Sequence, residues 1–145
     1  LAVLIDAWSR RVVGYAVSQG MDVRLTLEAL DTAVQLRKPK PGLIHHTDRG
    51  SQYLAKVYQQ TLSKLQIRGS MSRPGTPTDN PQAESFMKTL KYEEIYALDY
   101  ETLNDIKYRL PRFIDEIYNR RRIHSALDYV PPVEFEQQSA SDGVN

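Results

Sequence analysis

The chain has 145 residues, 26% of them charged and 41% hydrophobic, with a net charge of +1. That size suits one compact domain, able to bury about 68–70% of its unfolded surface. The absence of cysteine excludes disulfides, thiolate zinc sites and cysteine nucleophiles, and no run nears the roughly 18 apolar residues of a membrane-spanning helix. The chain opens at Leu1 inside an apolar run, without Met or a basic leader. It therefore reads as cut from a longer protein, with no signal peptide expected. Charge is uneven, with 11 Lys/Arg against 5 Asp/Glu in residues 1–75 and 8 against 13 in residues 76–145. Such a balance hints at a polyanion partner on one face.

In chain order, Leu1–Ile5 and Val12–Val17 are β-rich runs joined by a short polar link, the pattern of a hairpin. Asp22 is a plausible N-cap for a helix with Val23, Leu27, Leu30 and Val34 at helical spacing, ended by Pro39 and Pro41. Leu43 and Ile44 lead through His45-His46-Thr47 to Asp48, a short buried strand with a polar tip. Leu54, Tyr58, Leu62 and Leu65 mark a second helix, and Ile67–Met71 another strand. Arg73–Pro81, with three prolines and a glycine, is a loop. A helix starts near Gln82. Another spans about Thr102–Arg122, where Pro111 should kink or split it. Residues 137–145 are expected to form a flexible tail after a core of residues 1–136. Strands alternating with helices after a hairpin give a mixed α/β sheet.

Asp48 ends a strand beside a glycine turn, and Glu84 opens a helix behind the proline-rich loop. Two rigid elements could bring these hard oxygen ligands together to hold magnesium or manganese. The plainer roles are a turn or cap for Asp48 and a first-turn acid favoured by the helix dipole for Glu84. On a helical projection Lys88 lies at about +40° and Lys91 at about −20° from Glu84. Ala83, Phe86, Met87, Leu90 and Ala97 fall on a separate arc facing the core, and Glu94 intrudes on that arc. The exposed stripe of one acid and two lysines could hold a phosphate backbone beside a metal, or form ordinary i,i+4 pairs on a wet helix.

These residues resemble a family. His46-Thr47-Asp48-Arg49-Gly50-Ser51-Gln52-Tyr53, then Asp79-Asn80-Pro81-Gln82-Ala83-Glu84-Ser85-Phe86 with Leu90-Lys91, look like the retroviral-type integrase core of bacterial insertion-sequence transposases of the OrfB type. The opening Ile5–Gly14, the block Tyr118–Leu127 and Pro131-Pro132 match as well. Thirty-five residues separate Asp48 from Glu84, the separation that family shows between its second and third catalytic acids. The resemblance implies a ribonuclease-H-like fold and metal-dependent phosphodiester cleavage and strand transfer on DNA. It also implies a bacterial cytoplasmic protein, working at the nucleoid as a homo-oligomer. The family's first acid sits on the strand before the Leu1–Ile5 run, so that central strand is expected to be missing here. Asp6 matches a different family position.

In the intact family three carboxylates hold two Mg2+ or Mn2+ ions, which flank the phosphorus of an in-line displacement. With two of the three acids, this chain alone is expected to be inactive or impaired. His45 and His46 read either as second-shell groups near the metal or as ordinary strand-end histidines. Asn80 could fix the loop before Glu84 through a side-chain hydrogen bond. Arg120, Arg121 and Arg122 form the densest basic patch, read either as DNA-backbone contacts or as cations favoured at a helix C-terminus. Trp8 is expected to be packed. Two rivals stay open: a ribonuclease-H-like nuclease that only hydrolyses, and a non-catalytic DNA-binding or oligomerising remnant of a mobile element.

Overall fold

The two opening apolar runs form the expected hairpin, β1 (Ala2–Ile5) pairing antiparallel with β2 (Val12–Ala16). The structure is a computed structural model that describes residues 1–142. The register pairs Leu4 with Gly14 but Ile5 with Val12, a bulge that leaves Val13 over. Val12 thereby joins Val3, Ile5, Tyr15 and Val17 against Phe86, Leu90, Leu110, Phe113 and Ile114. On the opposite face Ala2 and Ala16 pack with Leu25 and Ala29 of helix α1 (Val23–Arg37). Here α1 crosses β2 so closely that a Cβ on Gly14 would run into the Ala29 carbonyl and lie 2.9 Å from the Ala33 methyl. Only glycine fits that crossing. Asp22 caps α1 by accepting from Arg24 N and Leu25 N.

Beyond α1, strand β3 (Ile44–Thr47) pairs parallel with β4 (Arg68–Met71). The crossover between them is helical, the usual way to join a parallel pair. It is two helices, α2 (Ser51–Leu54) and α3 (Lys56–Lys64), because Ala55 turns extended and its carbonyl accepts from Tyr58 N and Gln59 N. Tyr58 and Leu62 of α3 pack with Leu30 and Ile67 in a third cluster. The strand β3 is less buried than its apolar start suggests: Thr47 is buried while Ile44 is 62% exposed. The two strand pairs are separate sheets. Among the described residues no strand joins them, where the family resemblance places a central strand.

Helix α4 (Pro81–Leu90) runs on into a π-helical turn, Lys91–Ile95. Ala97 is exposed rather than in the core, because the regular helix has already ended. Helix α5 (Leu103–Arg112) starts in a capping box between Thr102 and Asp105. It passes through Pro111 without splitting and then widens into a π-helical stretch, Phe113–Tyr118. A proline removes one backbone donor, and a wider turn is one way a helix absorbs that loss. The expected tail from residue 137 is instead helical, since α6 covers Pro132–Asp142. Glu136 holds α6 to the hairpin turn, accepting from Ser9 Oγ at 2.6 Å and Arg11 at 3.0 Å, and pairing with Arg37 of α1. Residues 143–145 lie outside the described residues. Among those described, no helix is long and apolar enough to cross a membrane.

Candidate active site

Strand β3 delivers Asp48 to the sheet's end, where the chain must turn sharply. Gly50 N donates to Asp48 Oδ1 at 2.7 Å, and a Cβ on Gly50 would lie 3.0 Å from that same oxygen. Glycine thus gives the carboxylate room. Glu84 sits in the first turn of α4, its backbone N donating to Asn80 O at 3.2 Å. Asp48, Glu84, Lys88 and Lys91 all line one open cleft of about 890 Å³. All four are exposed. The sequence-derived stripe of Glu84, Lys88 and Lys91 therefore lines the same cleft as Asp48.

Residues of the Arg73–Pro81 loop line the cleft as well. Arg73 donates to the Asp79 carboxylate from its backbone N, Nε and Nη2 at 2.9, 2.9 and 2.8 Å. This ion pair holds the Asp79 carboxyl well below the usual carboxylate range. Below Asp48, His46 bridges to Ser70 Oγ through Nδ1 at 2.8 Å and to Ser72 Oγ through Nε2 at 3.1 Å. Buried Ser72 in turn donates from its N to Thr47 O and accepts Arg49 Nε at 3.0 Å on its carbonyl. His45 points the other way and shares a 2.7 Å hydrogen bond with the Tyr58 hydroxyl. Burial pushes the His45 pKa down to about 4, with like charge on His46 adding to it.

Residues 1–77 match the family model described as "Integrase core domain", and residues 65–132 match a second model of the same description. The chain belongs to the integrase core domain family. It is 43% identical over 140 residues to the transposase for insertion sequence element IS904 of Lactococcus lactis, covering 97% of this chain and 55% of that protein. It is 40% identical over 139 residues to transposase InsF for insertion sequence IS3fB of Escherichia coli, covering 96% and 48%. The chain thus spans about half the length of the curated relatives it matches. Its fold is similar to the HTLV-2 integrase catalytic core domain, a structure in complex with magnesium and in trimeric form. The TM-score is 0.64 at 15% identity, over 92% of this chain and 81% of that one. The fold is ribonuclease-H-like, and the family is one of polynucleotidyl-transferase-type enzymes.

Several sequence expectations land elsewhere in this integrase core. His46 bonds Ser70 of β4 and Ser72 just past it, as a strand-end histidine does. Asn80 makes no side-chain cap to α4, and the loop is tied one residue earlier, through Asp79. Of the basic patch, Arg122 is engaged by Glu93 at 2.9–3.2 Å, while Arg120 and Arg121 are exposed and line no part of the cleft. Asn119 is buried and bonds the backbone of Val12. Asp6 accepts from Trp8 N and Ser9 N and pairs with Arg37, which uses its carboxylate in the hairpin turn. Trp8 is 58% exposed rather than packed away, and its ring meets that of Phe135 with centroids 4.9 Å apart. The intruding Glu94 is buried, as the helical projection implied, and accepts from the Tyr100 hydroxyl. Arg49, Ser72, Arg73 and Asp79 were not singled out from the sequence. The readable signal for the last two was one cation and one anion bracketing a proline-rich loop.

Proposed function

We propose that this integrase core is the catalytic core of an insertion-sequence transposase, cutting phosphodiester bonds at element ends and joining them to target DNA. The observation that carries this reading is the single cleft shared by Asp48, Glu84, Lys88 and Lys91. Among the described residues neither carboxylate is spent in a salt bridge. Their hard oxygen donors fit Mg2+ or Mn2+, ions that take one or two carboxylates and complete their shell with water and substrate phosphate. Such an ion, when bound, supplies Lewis-acid stabilisation of charge at phosphorus and a more acidic bound water. Asp48 and Glu84 would hold it. Lys88 and Lys91 would grip the phosphates beside the reacting one, without reading base sequence. Arg120 and Arg121 would add backbone contacts outside the cleft. His46 and Asn80 would support Asp48 and Glu84 through the backbone segments they belong to.

Among the described residues no group of three or more His, Asp or Glu could hold a metal. Two carboxylates suffice for one ion, and a second would need a further oxygen ligand. That favours weak activity for residues 1–145 by themselves, and it keeps a non-catalytic DNA-binding role as the second reading. Action as a homo-oligomer on paired DNA ends, in the bacterial cytoplasm, belongs to the same proposal. Calorimetric titration of Mn2+ into the chain and its Asp48→Asn and Glu84→Gln variants tests the site. Binding lost in both variants supports it, and binding kept in both overturns it. Product analysis then separates strand joining from hydrolysis only.

A further inference from the structure

Past Lys91 the cleft wall changes character. Tyr92 and Tyr96 both line it, each 65% exposed. Their rings meet edge to face with centroids 5.6 Å apart and an interplanar angle of 81°. Single exposed aromatics are ordinary on a protein surface. This pair differs in three ways: it is contiguous, it borders the cleft that holds both acids, and it follows directly on the two lysines.

The two rings sit on and just after the π-helical turn. Tyr96 N donates to Lys91 O at 2.9 Å, a wide i to i+5 bond, and residues four apart such as Tyr92 and Tyr96 share one side of the helical turn. The two acids between them are removed from that side. Glu93 is engaged by Arg122, and Glu94 is buried against Tyr100. The face left to the cleft is Lys88, Lys91, Tyr92 and Tyr96: two cations, then two π surfaces, with both local carboxylates occupied elsewhere. Cations beside aromatic faces are the recurring composition of sites for unpaired nucleic acid, because phosphates meet the first and bases stack on the second.

We infer that Tyr92 and Tyr96 form a stacking platform for unpaired bases of the DNA strand whose phosphates Lys88 and Lys91 hold. The platform would make the cleft prefer a splayed DNA end to an intact duplex. The inference rests on the reading that Lys88 and Lys91 bind DNA. Along α4 and the π-helical turn that continues it, the tyrosines lie at most about 12–18 Å beyond Glu84, taking the α-helical 1.5 Å per residue as the upper limit, a span of roughly three to five nucleotides of one strand. Unpaired bases at that distance from the reacting phosphate are the ones the platform would take.

Two DNA probes of the same sequence and ionic strength separate the possibilities: a fully paired duplex, and the duplex with about five unpaired nucleotides at one end, labelled there with 2-aminopurine. Fluorescence anisotropy gives the affinity, and quenching of the label reports stacking. The chain carrying Tyr92→Ala with Tyr96→Ala should bind the frayed probe about 5- to 150-fold more weakly and leave the label unquenched. Its affinity for the paired duplex should stay as it was. Tyr92→Phe with Tyr96→Phe should retain both frayed-end affinity and quenching, since a phenyl ring keeps the stacking face.

Lys88→Ala with Lys91→Ala should weaken both probes alike. Equal loss on both probes in the alanine-for-tyrosine variant, or no loss on either, overturns the platform while leaving the lysine reading intact. No effect of the lysine variant, or no binding of either probe to the unaltered chain, overturns the DNA reading and the platform with it. Self-association lost in the tyrosine-to-alanine variant, with both DNA affinities unchanged, assigns the pair to contact with a second copy and overturns the platform.

Discussion

Arg73 and Asp79 close the proline-rich loop on itself, with three donors of one residue meeting the carboxylate of the other six positions on. The loop connects the end of β4 to the start of α4. It therefore sets how far Glu84 stands from Asp48. Its backbone alone would not do so, because Gly75 adopts a positive φ of 63° and the Pro77–Asp79 turn is one short 3-10 turn. A bidentate guanidinium-carboxylate pair adds direction as well as attraction.

Breaking this pair should loosen the site more than the fold. Arg73→Ala or Asp79→Asn is expected to weaken Mn2+ binding about tenfold, the scale for losing a partner that orients a metal ligand. The melting temperature should hardly move, because the arginine is largely exposed. The pair should also resist acid. The folded Asp79 carboxyl lies below its unfolded value, so its contribution is complete above the unfolded pKa and is lost only as pH falls through the lower folded one. Calorimetry beside thermal melts checks the split, and equal loss of both would make the pair merely structural.

At Gly50, metal binding and stability should move in opposite directions. The backbone there has φ −55° and ψ 142°, which any residue adopts. Alanine should therefore stabilise the fold by about 0.4–1 kcal/mol through the unfolded chain. Its Cβ, however, would stand 3.0 Å from Asp48 Oδ1 and 2.8 Å from Gln52 Nε2. Both are ends of flexible side chains, so the fold gives way cheaply and the Asp48 carboxylate is what moves. Gly50→Ala should melt at the same or higher temperature and bind Mn2+ about tenfold more weakly. Undiminished Mn2+ affinity would show that Asp48 does not need the space.

What the sequence made legible was local chemistry. The hairpin, the Asp22 cap, both β3 and β4, and the acid-lysine stripe of α4 each follow from spacing or from one residue's intrinsic preference. What it hid depended on contacts distant in sequence. Asn119, next to the Arg120–Arg122 patch, carries no local mark of burial, yet it bonds a backbone 107 positions away. Glu136 reads as part of a tail until Ser9, Arg11 and Arg37 are brought against it. The π-helical turns escaped for a different reason, since apolar periodicity assumes 3.6 residues per turn and misplaces residues such as Ala97 once the turn widens.

The Asn119 side chain stands in for a strand partner. Its Oδ1 accepts from Val12 N at 2.9 Å, and its Nδ2 donates to Val12 O at 3.1 Å, all buried. Asn119→Ala would orphan both backbone groups and should cost about 2–4 kcal/mol. Asn119→Asp should also destabilise, because a carboxylate would replace the amide donor facing a carbonyl. Urea denaturation measures both. DNA affinity at temperatures where the variants are folded should be unchanged, and a selective loss of DNA binding would restore the surface role that the neighbouring arginines suggest.

His45 should make stability fall in mild acid. It is largely buried against Tyr58, and its folded pKa of about 4 lies below the unfolded value of about 6.5. Between those two values the unfolded chain binds the proton and the folded chain does not. Stability is therefore full above pH 6.5 and declines as pH drops toward 4, by on the order of 3 kcal/mol. His124, also lowered by burial, adds to the decline in the same direction. Carboxylates held low, such as Glu136, start to lose their contribution only as pH nears their unfolded value of 4.5, at the acid end of this range. Urea midpoints measured from pH 7.5 to 4.5 should slope downward for the unaltered chain and much less for His45→Gln, which cannot take up the proton in either state. An unchanged slope in that variant would place the acid sensitivity elsewhere and leave the His45–Tyr58 bond a packing contact without consequence for pH.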